Sequence, residues 1–263
     1  MKLLLLSLVA VLAPALHAQD WAKQKLEASP RHREWVKLQH DGRSVDAYIV
    51  YPEVSHKAPV VLVIHEIFGL SDWAQLAADE FAAAGYIAIA PDLLSGKGPN
   101  GGGTKTMDPT AVGQAIRELP DDQITADLNA AADYALKQPS ASGNLYVAGF
   151  CYGGGQSFRY ATNRPDLKAA FVFYGGPPKD GLERIKAPVY GFYGGNDARV
   201  TATVEPTKEK MKAAGKKYEP VIYEGAGHGF MREGEDPTSK APTHAANVKA
   251  RDAAWSRLKE VIR

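Results

Sequence analysis

The chain has 263 residues, 45% of them hydrophobic and 23% charged, with 31 basic against 30 acidic side chains and a single cysteine. An ordinary apolar fraction and a net charge near zero exclude a wholly disordered chain and a generic electrostatic attraction to nucleic acid. One cysteine excludes an internal disulfide, a Cys-x-x-Cys redox pair and a cysteine-based zinc cluster, so the composition favours a globular enzyme or binding module.

The first 18 residues have the pattern of a secretory signal peptide. Lys2 supplies a positive charge, and Leu3–Leu16 is an apolar stretch too short for a comfortable membrane span. Leu16 fits poorly near a cleavage site that prefers small residues, so the exact cleavage site is open; an uncleaved anchor helix is the alternative to a signal peptide. We expect 1–18 to be removed and 19–263 to form one exported domain, periplasmic or secreted, with no membrane contact after cleavage.

Downstream, the sequence predicts strands that alternate with helices. The predicted strands are Glu34–Leu38, Val45–Tyr51, Pro59–Ile64, Tyr86–Ala90, Asn144–Ala148, Ala169–Tyr174, Val189–Tyr193 and Glu219–Tyr223. The predicted helices are Asp72–Ala84, Asp121–Lys137, Gly153–Thr162, Val204–Ala214 and Ala245–Ile262. Pro59–Ile64 is continuously apolar, which is typical of a strand buried on both faces. This order predicts an α/β fold with a mostly parallel sheet, helices on both faces and ligands beyond the carboxyl ends of the strands.

One stretch, Ser95–Met107, has no periodicity and is rich in glycine. Because it follows a predicted strand, it could be a mobile flap over a site at that edge of the sheet. A tolerated surface insertion is the alternative, and the sequence does not separate the two.

The strongest chemical signal lies in the motif Gly149-Phe150-Cys151-Tyr152-Gly153, between a predicted strand and a predicted helix. This is the G-x-nucleophile-x-G arrangement, in which small neighbours allow a sharp turn to expose the nucleophile. Partial positive charge at the first turn of a helix favours a thiolate, so Cys151 is the candidate nucleophile and the Tyr152 N–H a candidate oxyanion donor. The alternative is that Cys151 is a small buried hydrophobe.

Two further polar residues follow strands in the order that this type of sheet requires, which is nucleophile, acid and then histidine. Asp197 ends a Gly-Gly-Asn-Asp loop, and His228 lies in a glycine-rich loop after the next predicted strand. We expect His228 to exchange a proton with Cys151 and with water while Asp197 fixes its tautomer. Taken singly, Asp197 could be a turn former and His228 a surface or core histidine; their shared order and placement favour a triad.

Glu66 directly follows the buried strand that ends at Ile64. A carboxylate among apolar neighbours at that position could accept the thiol proton or orient a water molecule, and a salt bridge to arginine or lysine is the alternative. The N–H of Ile67, in the loop after the same strand, is the natural second oxyanion donor.

The sequence predicts no metal, nucleotide or flavin cofactor. His65-Glu66 does not extend to His-Glu-x-x-His because Gly69 stands where the second histidine would be. The run Gly98–Gly103 has its lysine one place too late for a phosphate loop, and Cys151 occupies the position of the second glycine in a dinucleotide fingerprint.

At these residues the chain resembles the dienelactone hydrolase family of α/β-hydrolases, roughly from Val45 to Arg263. The matching pieces are His65-Glu-Ile-Phe-Gly69, Ala90-Pro-Asp-Leu93, Gly149-Phe-Cys-Tyr-Gly-Gly154, the loop that ends at Asp197, and Gly227-His-Gly-Phe-Met-Arg232. The resemblance implies an α/β-hydrolase fold with a triad of Cys151, Asp197 and His228. It also implies that Glu66 holds the proton of the resting thiol and is displaced by substrate. Family members hydrolyse an enol-lactone to maleylacetate through an acyl-cysteine.

The resemblance further implies that Arg232 is one of two arginines that grip the carboxylate of the lactone, with a surface arginine as the alternative. The second arginine is expected just after Leu93, where this chain has Leu94-Ser95-Gly96-Lys97. A lysine is a point charge and does not replace the planar guanidinium of an arginine. This difference leaves the identity of the substrate open, whereas the expected hydrolytic chemistry does not depend on it.

We therefore predict an exported, monomeric, cofactor-free hydrolase that acts on a small ester or lactone and binds no nucleic acid. Two other classes stay open. A non-catalytic binding module on the same fold would show a broken triad, which this sequence does not. A thiol-based redox protein normally needs a resolving cysteine besides Cys151.

Overall fold

Eight strands form one sheet in residues 20–262, the part of the chain that the computed structural model describes. The strands are β1 (Arg33–His40), β2 (Arg43–Val50), β3 (Ala58–Ile64), β4 (Ile87–Pro91), β5 (Ala141–Phe150), β6 (Leu167–Phe173), β7 (Val189–Gly194) and β8 (Tyr218–Tyr223). Their order across the sheet is β1-β2-β4-β3-β5-β6-β7-β8. β2 pairs antiparallel with β1 and with β4, whereas all the other neighbouring pairs are parallel. The prediction of a mostly parallel sheet is confirmed.

The helices of the same described range lie on both faces of the sheet. They are α1 (Asp20–Ala28), α2 (Asp72–Ala83), α3 (Pro109–Arg117), α4 (Asp121–Leu136), α5 (Tyr152–Asn163), α6 (Ala198–Thr201), α7 (Val204–Ala213), α8 (Phe230–Glu233) and α9 (His244–Ile262). Two buried clusters of apolar side chains lie between the sheet and these helices, one on each face. One contains residues of α3, α4, α5 and α7, and the other contains residues of α1, α2 and α9.

The strand β3 shows why the sequence folds in this way. Val60 and Leu62 belong to one buried cluster, while Val61 and Val63 belong to the other. Successive side chains of a strand point to opposite faces, so a strand covered by helices on both faces needs apolar residues at every position. The continuous apolar run of β3 is therefore explained by the position of this strand near the middle of the sheet.

Every predicted strand and helix is present, with ends that agree within three residues. The helices α1, α3, α6 and α8 were not predicted from the sequence. Two of these, α6 and α8, span four residues each, and α3 spans nine residues and buries only Val112 and Ile116 among its apolar residues, so these helices are too short to give a strong helical signal.

The glycine-rich stretch Ser95–Met107 contains two short 3₁₀ helices and is tied to the sheet through Asp92. The carboxylate of Asp92 accepts hydrogen bonds from the backbone N–H and the hydroxyl of Thr104, both at 2.7 Å. The same hydroxyl accepts from the N–H of Leu70 at 3.1 Å. These bonds hold Thr104 against the loop after β3; whether the stretch moves as a flap stays a prediction.

The signal peptide predicted at residues 1–18 lies outside the described residues. Within the described range, none of the helices combines the length and the apolar character that crossing a membrane requires.

Candidate active site

Cys151 lies at the sharp turn between β5 and α5. Its backbone has φ of 54° and ψ of −112°, a conformation that residues with a side chain rarely adopt. The turn is held by two hydrogen bonds: the N–H of Cys151 donates to the carbonyl of Phe173 at 3.0 Å, and its carbonyl accepts from Gly155 at 3.2 Å. The half-buried thiol is thereby presented at the carboxyl end of β5.

Glycines flank this turn because the backbone leaves no room for side chains. A Cβ on Gly149 would lie 1.9 Å from the carbonyl oxygen of Gly153, and a Cβ on Gly153 would lie 2.2 Å from that of Ile64. These distances are far below van der Waals contact. The helix α5 can therefore begin beside β3 only if both positions lack a side chain. The motif predicted from the sequence therefore has a steric cause.

The thiol, an imidazole and a carboxylate form one hydrogen-bonded chain. His228 Nε2 lies 3.1 Å from Cys151 Sγ, and His228 Nδ1 lies 2.5 Å from Asp197 Oδ2. Asp197 follows β7 and is buried, and His228 follows β8. The two loops meet because a glycine permits it: a Cβ on Gly194 would lie 2.5 Å from the carbonyl oxygen of Gly227. The structure thus brings together all three residues of the predicted triad.

Opposing effects act on the charge of this imidazole. Burial disfavours the imidazolium of His228, but the hydrogen bonds to Cys151 and Asp197 and the charges of those groups outweigh it, so that the pKa of His228 rises to about 9. An imidazole that holds its proton beside a sulfur atom, and that a carboxylate orients, is suited to proton exchange with the sulfur.

The two predicted oxyanion donors, Ile67 and Tyr152, line the same cleft as Cys151 and His228. Neither of their N–H groups donates a hydrogen bond to another described residue. Unpaired N–H groups next to a nucleophile can stabilise negative charge on a carbonyl oxygen as it forms.

Glu66 is buried and makes an ion pair rather than a contact with the thiol. Its Oε2 accepts from Arg232 Nε at 2.9 Å, and its Oε1 accepts from the hydroxyl of Tyr174 at 3.3 Å. The guanidinium of Arg232 also pairs with Glu233 at 2.6 Å and stacks 5.2 Å from the ring centre of Phe68. The salt bridge that the sequence left as the alternative for Glu66 is therefore present, and its partner is the predicted binding residue Arg232.

Tyr174 is a site residue that the sequence analysis missed. It directly follows β6, has φ of 41° and is fully buried. Its ring lies edge-on to that of His228, with 5.1 Å between centroids, while its hydroxyl reaches Glu66. Burial, followed by the charge of Glu66, raises the pKa of Tyr174 well above its usual value, so its hydroxyl stays a donor. Its position just beyond a strand, before Gly175, was the available signal.

An open cleft of about 860 Å³ leads to the thiol. Besides Cys151, His228 and the two oxyanion donors, its walls carry five cationic side chains, of Arg117, Arg159, Lys179, Arg184 and Arg199. Arg232 lies outside this lining. Among the described residues, no group of three or more histidine, cysteine and acidic side chains is placed to hold a metal ion.

The sheet order and the sharp turn at its centre define an α/β-hydrolase-type fold. Residues 45–263 match the model of the dienelactone hydrolase family. The chain belongs to this family, and it is a hydrolase.

Individual relatives agree with this assignment. The chain is 36% identical, over 86% of its length and 84% of the relative, to a Salmonella typhimurium protein named "Putative carboxymethylenebutenolidase". It is 31% identical, over the same shares, to a protein of the same name from Escherichia coli K12. Among solved structures, it is similar to the "Putative Dienelactone Hydrolase" of Klebsiella pneumoniae, with a TM-score of 0.73 and 28% identity over 87% of this chain and 96% of the other.

Proposed function

We propose that this protein hydrolyses carboxylic esters or lactones through an acyl-cysteine intermediate formed at Cys151. The observation that carries the proposal is the 3.1 Å contact of Cys151 Sγ with His228 Nε2, together with the bond of His228 to Asp197. A nucleophile within hydrogen-bond reach of a base, which a third group orients, is the signature of covalent catalysis.

In the reacting state His228 holds the proton that the thiol has given up, which agrees with the raised pKa of His228. The thiolate attacks the carbonyl carbon, and the N–H groups of Ile67 and Tyr152 stabilise the oxyanion. When the carbonyl re-forms, the bond to the leaving alkoxide breaks and His228 returns its proton to that oxygen. His228 then takes a proton from water, whose oxygen attacks the acyl-cysteine. Collapse of this second intermediate releases the acid and restores the thiol.

Glu66 has a separate part in the proposal. The family resemblance implies that it holds the proton of the resting thiol and is displaced when substrate binds. In this structure the carboxylate is paired with Arg232, and the sulfur atom contacts His228. This arrangement corresponds to the displaced state, so we propose that the Arg232 ion pair keeps Glu66 away from the reacting thiol.

For the substrate, the names of the relatives support an enol-lactone, whereas the residues of this chain favour a broader ester class. Arg232 is already paired with Glu66 and Glu233, and no arginine follows Leu93 at the place where the family's second one is expected. A dienelactone would therefore lose the bidentate grip on its carboxylate that two free arginines supply.

The decisive test is hydrolysis of aryl acetates and of dienelactone by the purified protein, beside the variants Cys151→Ala and His228→Ala. We expect turnover by the wild type to fall at least ~100-fold in either variant, as is typical when a nucleophile or a base is removed. Equal rates in all three proteins would overturn the proposal and leave a non-catalytic binding module. If the wild type is active and the variants are not, a substrate panel that varies acyl size defines the ester class.

A further inference from the structure

The cleft beside Cys151 is more cationic than the rest of the molecule. The whole chain carries 31 basic and 30 acidic side chains, whereas the cleft is lined by five cationic side chains and by just two carboxylates, those of Asp121 and Asp180. A concave surface with one sign of charge concentrates ligands of the opposite sign. This asymmetry points to an anionic ligand.

Two of the cleft's arginines have no carboxylate partner. Arg117, at the end of α3, donates one hydrogen bond to the carbonyl of Gly113 at 3.1 Å, and neither it nor Arg199 forms an ion pair with any residue of the described range. A Cβ on Gly113 would lie 3.6 Å from both Arg117 Nη1 and a side-chain carbon of Ile67, so the guanidinium of Arg117 lies close to the side chain of Ile67, whose N–H is a candidate oxyanion donor.

Arg159 extends the cationic wall along α5. It lies two helical turns beyond Cys151, about 12 Å along the axis. Its Nε donates to Gln156 at 2.6 Å and its Nη1 to Thr125 at 2.8 Å, while its carboxylate neighbour, Asp121, is exposed and 3.5 Å away. Its Nη2 is buried without a hydrogen-bond partner. A buried, unpaired donor of a charged group is costly unless a ligand completes it.

We propose that Arg117 and Arg159 form an anion subsite, and that the protein prefers esters whose acyl chain ends in a second anionic group, a carboxylate or a phosphate. The subsite rests on the proposed function for its use in catalysis. Planar guanidinium groups bind carboxylates and phosphates through paired hydrogen bonds, and Arg159 lies far enough from Cys151 for an extended chain to join the two. The arginines lie on α3 and α5, apart from Arg232.

The test compares p-nitrophenyl monoesters of succinic, adipic and suberic acid with neutral p-nitrophenyl esters of equal chain length. We expect kcat/KM of the wild type to favour the charged ester at least 10-fold for the longer chains. In Arg117→Gln and Arg159→Gln this ratio falls about 10-fold or more, whereas the control Arg33→Gln, on β1 outside the cleft, keeps it. No preference in the wild type, or an equal loss on charged and neutral esters, would overturn the subsite.

Two further measurements keep the result unambiguous. Arg117 makes a single hydrogen bond within its own helix, so Arg117→Gln reports on the subsite even if Arg159→Gln disturbs folding. Inhibition by suberate or by hexyl phosphate supports the subsite and tells which anion it prefers, while inhibition by neither contradicts it. If no ester is hydrolysed, the proposed function fails, but calorimetric binding of suberate that Arg159→Gln abolishes still supports the subsite.

Discussion

Arg232 Nε donates to Glu66 Oε2 at 2.9 Å, across 166 positions of the chain. This bond neutralises a buried carboxylate that follows β3 and joins it to α8, which begins two residues after His228. The charge near the thiol therefore depends on this pair of residues, and changing either member alters that charge.

Opposite shifts are expected when the two members of this pair are changed. Glu66→Gln removes one of the two carboxylates that pair with Arg232 and makes the surroundings of the thiol more positive, which favours the thiolate and moves the pH midpoint of iodoacetamide alkylation downward. Arg232→Gln leaves the carboxylate uncompensated and moves the midpoint upward, each by about one pH unit. The measurement is the alkylation rate of Cys151 against pH. Identical profiles in all three proteins would mean that Glu66 acts as scaffolding.

A second prediction follows from the pKa of His228, which the bonds to Cys151 and Asp197 raise to about 9 although burial opposes the charge. An unfolded histidine titrates near 6.5. Since the folded pKa is higher than the unfolded one, the protonated imidazole stabilises the fold fully below about pH 6.5, and this contribution is lost as the pH rises through about 9.

Melting curves of the wild type and of His228→Gln therefore converge with rising pH. We expect their difference in Tm to be largest near pH 6 and to shrink steadily up to about pH 10. A control, His56→Gln, changes an exposed histidine and should give a small difference that does not depend on pH in this way. A His228→Gln difference that is constant over the range would contradict the assigned protonation.

The sequence predicted those parts of the site that depend on local chemistry. The turn at Cys151 needs glycines at fixed offsets, and Asp197 and His228 each follow a strand of a parallel sheet, so their convergence follows from topology. The same local signals placed Glu66 at the edge of β3 but left its partner open.

What the sequence could not predict depends on how helices pack. The pairing of Glu66 with Arg232 requires the position of α8 relative to β3, and the approach of Arg117 to the cleft requires α3, a helix with few buried apolar residues. Tyr174 was missed because a tyrosine beyond a strand has no motif; its contacts with His228 and Glu66 arise from the path of β6.

Two glycines of α5 provide a matched test of the turn. A Cβ on Gly153 would lie 2.2 Å from the backbone oxygen of Ile64, while a Cβ on Gly155 would meet its first neighbour at 3.6 Å, an ordinary contact. We expect Gly153→Ala to destabilise the protein by about 1–3 kcal/mol through overpacking. Gly155→Ala should be neutral or stabilising by up to about 1 kcal/mol, because alanine favours a helix.

Urea unfolding of both alanine variants measures this difference. Activity serves as a second readout, since a displaced turn moves Cys151 away from His228 and lowers kcat in Gly153→Ala. Equal stability of the two variants would show that the backbone at the turn can shift to accept a side chain, and that the glycine at 153 is not required by contact with β3.

The hydrogen bond between Asp197 and His228 is expected to control kcat, because it sets the tautomer of the imidazole. The carboxylate is buried and accepts from Nδ1 at 2.5 Å, which fixes the proton on that nitrogen and leaves Nε2 facing the sulfur atom. Asp197→Asn keeps the shape of the side chain but presents an amide that can donate to Nδ1 and so favours the wrong tautomer. We expect kcat for aryl esters to fall by about 10²–10⁴ with a smaller change in KM.

The matched control is Asp122→Asn, which changes an exposed aspartate in the first turn of α4. It removes the same charge without touching the candidate site, so kcat should stay within about twofold of the wild type. Because the carboxylate is also one of the groups that raise the pKa of His228, Asp197→Asn should in addition move the pH dependence of the rate to lower pH. A variant that retains full activity would place the orienting role of Asp197 elsewhere and reduce the catalytic unit to Cys151 and His228.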